Sequence, residues 1–255
     1  MNLPNFSDIT NIKLTKLSPS QILVAGYFIV ILTGTILLML PVATPDGEGL
    51  NFINSLFTAT SATCVTGLIV VNTSTAFTIF GQIVIMILIQ IGGLGIMTMS
   101  TMMAFILGKK IGLKERMIIV EDLNQFKISG IVRLVQYVLG FTFIIEGAGA
   151  FLMFFRLIRE YNFWRAVYFS IFHAVSAFNN AGFDLFGNSL ESVTGSITIN
   201  FVIMILIILG GIGFGVLVEL YNIRNINNIS LQTKIVLTVT VILLIVGFFM
   251  VLFLE

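Results

Sequence analysis

The stretch Thr58-Ala-Thr-Ser-Ala-Thr-Cys-Val-Thr-Gly-Leu68 is small, hydroxyl-rich and uncharged. It lies in a run from Gly49 to Gly108 that holds no Asp, Glu, Lys, Arg or His. A wet connecting loop would carry charge, and an unbroken membrane helix would not place Cys-Val-Thr-Gly in its path. Non-helical backbone at membrane depth persists only where protein buries it or where it lines a water-filled cavity. The pattern therefore predicts a re-entrant pore loop. A short helix from about Phe52 to Ala62 would enter the membrane, and Thr63 to Leu68 would return with carbonyls turned toward a cation. Rings of backbone carbonyls can replace a cation's hydration shell in this way.

A second stretch repeats the first. With Gly67 aligned on Gly182, Phe57, Ala59, Ser61 and Ala62 fall on Phe172, Ala174, Ser176 and Ala177 without a gap. Further on, Gly92-Gly-Leu-Gly95 matches Gly210-Gly-Ile-Gly213. The spacings, 67 to 92 and 182 to 210, differ by only three residues. The two units have the same orientation, which fits an axis along the membrane normal; inverted repeats put their site at a two-fold in the membrane plane. The candidate cation ligands are the backbone carbonyls of Cys64, Val65, Thr66 and Gly67, and of Asn179, Asn180, Ala181 and Gly182. Glycine at 67 and 182 opens backbone angles closed to other residues. No carboxylate ring is available, so neutral dipoles would do the selecting. Gly92, Gly93, Gly95, Gly210, Gly211, Gly213 and Gly215 read instead as close helix packing behind these loops.

The elements that must position the loops are membrane spans. Of 255 residues, 57% are hydrophobic and 10% charged, with mean hydropathy +1.07. A water-soluble domain carries roughly 25% charged residues. The expected class is an all-α integral membrane protein built of repeated helix–pore loop–helix units, as in potassium-channel-like pores. Spans are predicted over about 20–40, 75–108, 131–155, 198–218 and 234–254, with a second re-entrant candidate over 163–186. The span at 75–108 exceeds the roughly 20 residues a bilayer needs, so it must tilt, break or leave the membrane. The predicted organisation is a cytoplasmic tail over 1–18, a first repeat over 19–108, a cytoplasmic amphipathic connection over 109–130, a second repeat over 131–220, and a loop with the first helix of an incomplete third repeat over 221–255.

An N-terminus inside the cell puts ten of the thirteen Lys and Arg on the cytoplasmic side, and only Arg156, Arg159 and Arg165 outside. Both loops then enter from outside, and the C-terminus as given lies outside a plasma membrane whose lipid surrounds the spans. The net charge of +1 gives no ground for a nucleic-acid partner. A single cysteine, Cys64, excludes an intrachain disulfide and a cysteine metal cage. His173, the one histidine, reads as a short-helix residue bonded to backbone or water. Glu146, an ionisable group inside a span, reads either as an ion-binding candidate or as an intra-bundle partner of a polar pore-helix residue. Asp184 and Glu191 follow the second loop, where they either raise cation concentration at a mouth or belong to an ordinary wet loop. The sequence offers no Ser/His pair with a base, no paired aspartates in facing spans and no nucleotide loop, so an enzyme is not expected and no organic cofactor is implied.

Four ordered motifs carry a resemblance over nearly the whole chain: residues 58–68, Gln-Ile-Gly-Gly-Leu-Gly over 90–95, Phe-His-Ala-Val-Ser-Ala-Phe-Asn-Asn-Ala-Gly-Phe-Asp over 172–184, and Gly-Gly-Ile-Gly-Phe-Gly over 210–215. The chain resembles the Trk/Ktr/HKT superfamily of potassium transporters, most of all the bacterial Ktr-type membrane subunit. The resemblance implies a pore of four such repeats with one selectivity glycine from each, potassium as the transported ion, and sodium as a candidate coupling or activating ion. It also implies a homodimer that docks a cytosolic nucleotide-binding regulatory ring. This sequence holds two repeats and the first helix of a third, so the family's gating segment and a basic residue of repeat four have no counterpart in it. The expectation is that the chain alone does not conduct as a monomer. The alternative is a truncated, non-conducting or regulatory membrane subunit that needs a second chain for the missing repeats.

Overall fold

The computed structural model describes residues 19–95, Thr98, Met117, 131–222 and 229–254. Among them every regular element is helical. The tail over 1–18 lies outside the described residues, as does the connection over 109–130 apart from Met117. The chain forms two compact units, Met1–Leu139 and Gly140–Glu255.

In the first unit, α1 (Pro19–Leu38) opens on a proline, whose missing N–H costs nothing in a first turn. A 3-10 turn over Pro41–Ala43 follows it. Next, α2 (Phe52–Thr63) starts at Asn51, whose side chain accepts the Asn54 N–H at 2.8 Å. After the short α3 (Thr73–Ala76), α4 (Ile79–Leu94) starts at Thr78, whose hydroxyl also donates to the Val42 carbonyl at 2.7 Å. The helices α1, α2 and α4 pack against one another. Gly34 makes the approach possible: a Cβ there would lie 2.6 Å from Leu88 Cδ1 and 3.3 Å from Ala59 Cβ.

The second unit contains most of α5 (Ile131–Leu157), then α6 (Phe163–Phe178), α7 (Ile197–Gly211), α8 (Phe214–Asn222) and α9 (Leu231–Leu254). Asn162 caps α6 by accepting the Arg165 N–H at 3.0 Å. Helix α7 packs on α6, and Gly149 of α5 sits so close to α7 that a Cβ would lie 2.7 Å from Leu206 Cδ1. The tail α8 meets α9 through Glu219. Its carboxylate accepts the Ser230 N–H and hydroxyl, both at 2.6 Å, and the Thr233 hydroxyl, so it caps the last helix. No residue in the most apolar stretch of α9 is buried. Three described helices are long and apolar enough to cross a membrane, four if the bent pair α7–α8 counts as one. The protein is an all-α membrane protein.

One expectation needs correction. The span over 198–218 is not continuous: α7 ends at Gly211 and α8 leaves at 96° to it. Gly213 sits between them at φ +87° with nothing within 4 Å of where a Cβ would be, so it turns the chain and does not pack a helix. In the first unit α4 ends the same way, at Leu94, with Gly95 at φ +83°. A glycine in this region of φ ends a helix at little steric cost. For Gly92 and Gly210 the packing expectation matches the contacts described next.

Candidate functional site

Each unit holds a short helix whose C-terminus runs into an irregular return. The C-cap residues, Cys64 and Asn179, have nearly the same backbone, φ −85°, ψ 2° and φ −80°, ψ 1°. Then follow paired left-handed residues: Val65 at φ +52° and Gly67 at φ +77°, Asn180 at φ +56° and Gly182 at φ +72°. A β-branched residue at positive φ is a genuine outlier. Such strain, of order 1–3 kcal/mol, persists only where the surroundings over-determine it. Residues of alternating φ sign turn successive peptide planes the same way, so amides gather on one side and carbonyls on the other.

The hydrogen bonds agree with that division. In the first loop the N–H groups of Cys64, Val65 and Thr66 donate to Thr60, Ala62 and Ser61 at 2.8, 3.3 and 2.9 Å. In the second, those of Asn179, Asn180 and Ala181 donate to Val175, Ala177 and Ser176 at 3.1, 3.1 and 2.8 Å. The amides thus face the short helix. Among the described residues nothing donates to the carbonyls of Cys64, Val65, Thr66, Gly67, Asn180, Ala181 or Gly182. Serine hydroxyls clasp the far end of each return: Ser61 donates to the Leu68 carbonyl at 2.7 Å and Ser176 to that of Phe183 at 2.6 Å.

These contacts recur at a constant offset of 115 residues (67 to 182), which becomes 118 beyond the loops (92 to 210). Gly92 and Gly210 each abut the last carbonyl of a short helix, that of Thr63 or Phe178. Gly34 with Leu88 recurs as Gly149 with Leu206. Gln82 and Asn200 both gather the carbonyls that precede their helix. Gln82 Nε2 reaches Thr73, Ser74 and Phe77; Asn200 Nδ2 reaches Val193, Thr194 and Ser196. Sequence reasoning did not find the Gly34, Gly149, Gln82 and Asn200 contacts. Their signal lies in the same two offsets, 115 and 118 residues.

The units differ where side chains line the loops. His173 Nδ1 lies 2.7 Å from the Phe169 carbonyl and Nε2 3.2 Å from the Leu185 amide. The amide can only donate, so Nε2 accepts, and Nδ1 carries the proton. The ring also stacks on Phe186, centroids 4.3 Å apart. This is the backbone-bonded histidine the sequence predicts. Asp184 accepts the Gly187 and Ser189 amides at 2.7 and 2.8 Å and so shapes the longer second loop. A cavity of about 230 Å³ lies between the second loop and α7, lined in part by His173, Asn180, Asp184 and Ile203. Glu146 Oε1 accepts the Asn179 Nδ2 hydrogen at 3.0 Å, with both residues buried. Cys64 is exposed. Among the described residues no three His, Cys, Asp or Glu side chains group as metal ligands.

Such a fold defines a class, the helical membrane proteins built of paired helix–loop–helix units. The chain belongs within it to the TrkH family of cation transport proteins, which it matches over residues 3–255. It is 50% identical over 232 residues to the Ktr system potassium uptake protein B of Bacillus subtilis, covering 91% of this chain and 52% of that protein. It is 43% identical over 240 residues to the potassium/sodium uptake protein NtpJ of Enterococcus hirae, covering 94% and 53%. With the Ktr system potassium uptake protein B of Vibrio alginolyticus it shares 36% identity over 229 residues, covering 89% and 50%. The chain spans about half the length of each of these relatives.

Proposed function

We propose that this chain contributes two of the pore loops through which potassium enters the cell, one from a repeat over 19–108 and one from a repeat over 131–220. The carbonyls of 64–67 and 179–182 replace the ion's water. The observation that carries this reading is the matched division of each loop: amides held by the short helix, and carbonyls from 64 to 67 and from 180 to 182 without a donor among the described residues. The resemblance makes sodium the candidate coupling or activating ion, and the Enterococcus relative is named for uptake of potassium and sodium. The resemblance to Ktr-type subunits implies a dimer with a nucleotide-binding ring on its cytoplasmic face, and the Lys/Arg distribution favours loops that enter from outside.

The test is potassium uptake by the full-length protein containing this chain, in cells stripped of their own transporters. Growth at low external potassium, with saturable uptake, is expected. No uptake from a protein that reaches the membrane would overturn the reading.

A further inference from the structure

Glu146 and Asn179 are 6% and 8% exposed, and they join α5 to the end of α6. A buried carboxylate in an apolar span is costly unless it is partnered. Here its Oε1 accepts one Asn179 Nδ2 hydrogen at 3.0 Å, while Nδ2 also donates to the Val175 carbonyl at 2.9 Å. Asn179 is the C-cap of α6, and the left-handed Asn180 follows it directly. The side chain is therefore fixed at the point where helix becomes loop.

The first unit makes the same turn without this pair. Glu146 and Asn179 correspond, at the offset of 115, to Ile31 and Cys64. Yet the first loop keeps the same backbone bonds, Cys64 N–H to Thr60 at 2.8 Å and Thr66 N–H to Ser61 at 2.9 Å. The loop conformation forms without a polar brace, so folding alone does not account for one in the second unit.

We propose that Glu146 is a positioning residue for the second loop: through Asn179 it holds the turn into 180–182 and thereby sharpens the choice between potassium and sodium. This rests on the potassium-uptake reading. It assigns Glu146 no contact with the ion.

The test uses the full-length protein with Glu146→Ile, Glu146→Gln and the pair Glu146→Ile/Asn179→Cys, which copies the first unit. Two quantities are read: the potassium-to-sodium uptake ratio, and the hydrogen exchange of the Ala181 and Gly182 amides in purified protein. Glu146→Ile is expected to lower the ratio about tenfold and to speed exchange by a similar factor. Glu146→Gln keeps an acceptor oxygen and should stay within about twofold. An unchanged ratio in folded Glu146→Ile overturns the proposal, whatever the exchange. Should Glu146→Ile not reach the membrane, the paired variant, which leaves no amide orphaned, carries both readouts with the same expectations. If the unmodified protein takes up no potassium, the transport reading fails by itself, and exchange alone decides whether Glu146 holds the loop.

Discussion

Gly92 lies against the carbonyl of Thr63 so closely that a Cβ would stand 1.9 Å from its oxygen. In the second unit a Cβ on Gly210 would stand 1.7 Å from the Phe178 oxygen. Each glycine is the wall behind the last turn of a short helix. Both partners are backbone and cannot swing aside. Gly92→Ala and Gly210→Ala should each cost about 1–3 kcal/mol or more, the range for overpacking. Gly211→Ala is the control: its Cβ would meet only Asn180 Nδ2 at 3.8 Å, so a change within about 0.5 kcal/mol is expected. Thermal unfolding in detergent measures all three. Equal shifts would mean that the close approach carries no cost.

Gly67 and Gly182 sit at φ +77° and +72°, where a side chain is strained. Gly67→Ser and Gly182→Ser should each shift relative uptake toward sodium, by about tenfold for a 1.4 kcal/mol change in discrimination. Competitive uptake of the two ions gives the ratio. An unaltered ratio in protein of normal abundance would remove that glycine from the ion path.

The serine clasps should matter to the loops more than to the fold. Ser61→Ala releases the Leu68 carbonyl and Ser176→Ala that of Phe183, each at a net cost of about 0.5–1.5 kcal/mol. Thiol labelling of the exposed Cys64 reports on the first loop. It should accelerate in Ser61→Ala and stay as it was in Ser176→Ala. Acceleration in neither variant would show that Ser61 does not hold the loop.

Orientation is read from labelling in a Cys64-free background. A cysteine at position 114 or 127 should react from the cytoplasmic side, and one in either loop from outside, because Lys and Arg concentrate on cytoplasmic segments. External labelling at 114 or 127 would invert the topology.

Much of this arrangement was legible in the sequence. The predicted short helix from Phe52 to Ala62 is found over Phe52–Thr63, since the hydroxyl-rich run has one capping residue, Asn51, and one exit at Cys64. The predicted span over 131–155 is found over Ile131–Leu157, with Arg133 in its first turn and Arg156 in its last. The bend after Gly211 was not legible. Ile197 to Tyr221 is apolar on both sides of the break, so hydropathy sees one span. Glycine in such a run signals packing and turning equally well; only φ separates Gly210, which packs, from Gly213, which turns. At Glu146 the sequence left two readings open, ion binding and a bundle partner on a pore helix. Naming Asn179 needed the crossing of α5 and α6, which no local pattern encodes.

The two loops also record what a duplicated segment is free to change. Position 64 is a thiol and 179 an amide; 65 is valine and 180 asparagine; 66 is threonine and 181 alanine. All three of these pairs differ, and a peptide oxygen is the same atom whatever side chain hangs beside it. The identities that survive in both copies are the turning glycines 67 and 182, the clasping serines 61 and 176 and the wall glycines 92 and 210. Drift in a site of this kind runs opposite to drift in an enzyme. The side chains beside the proposed ligands change between the two copies, while the atoms proposed to face the ion stay peptide oxygens.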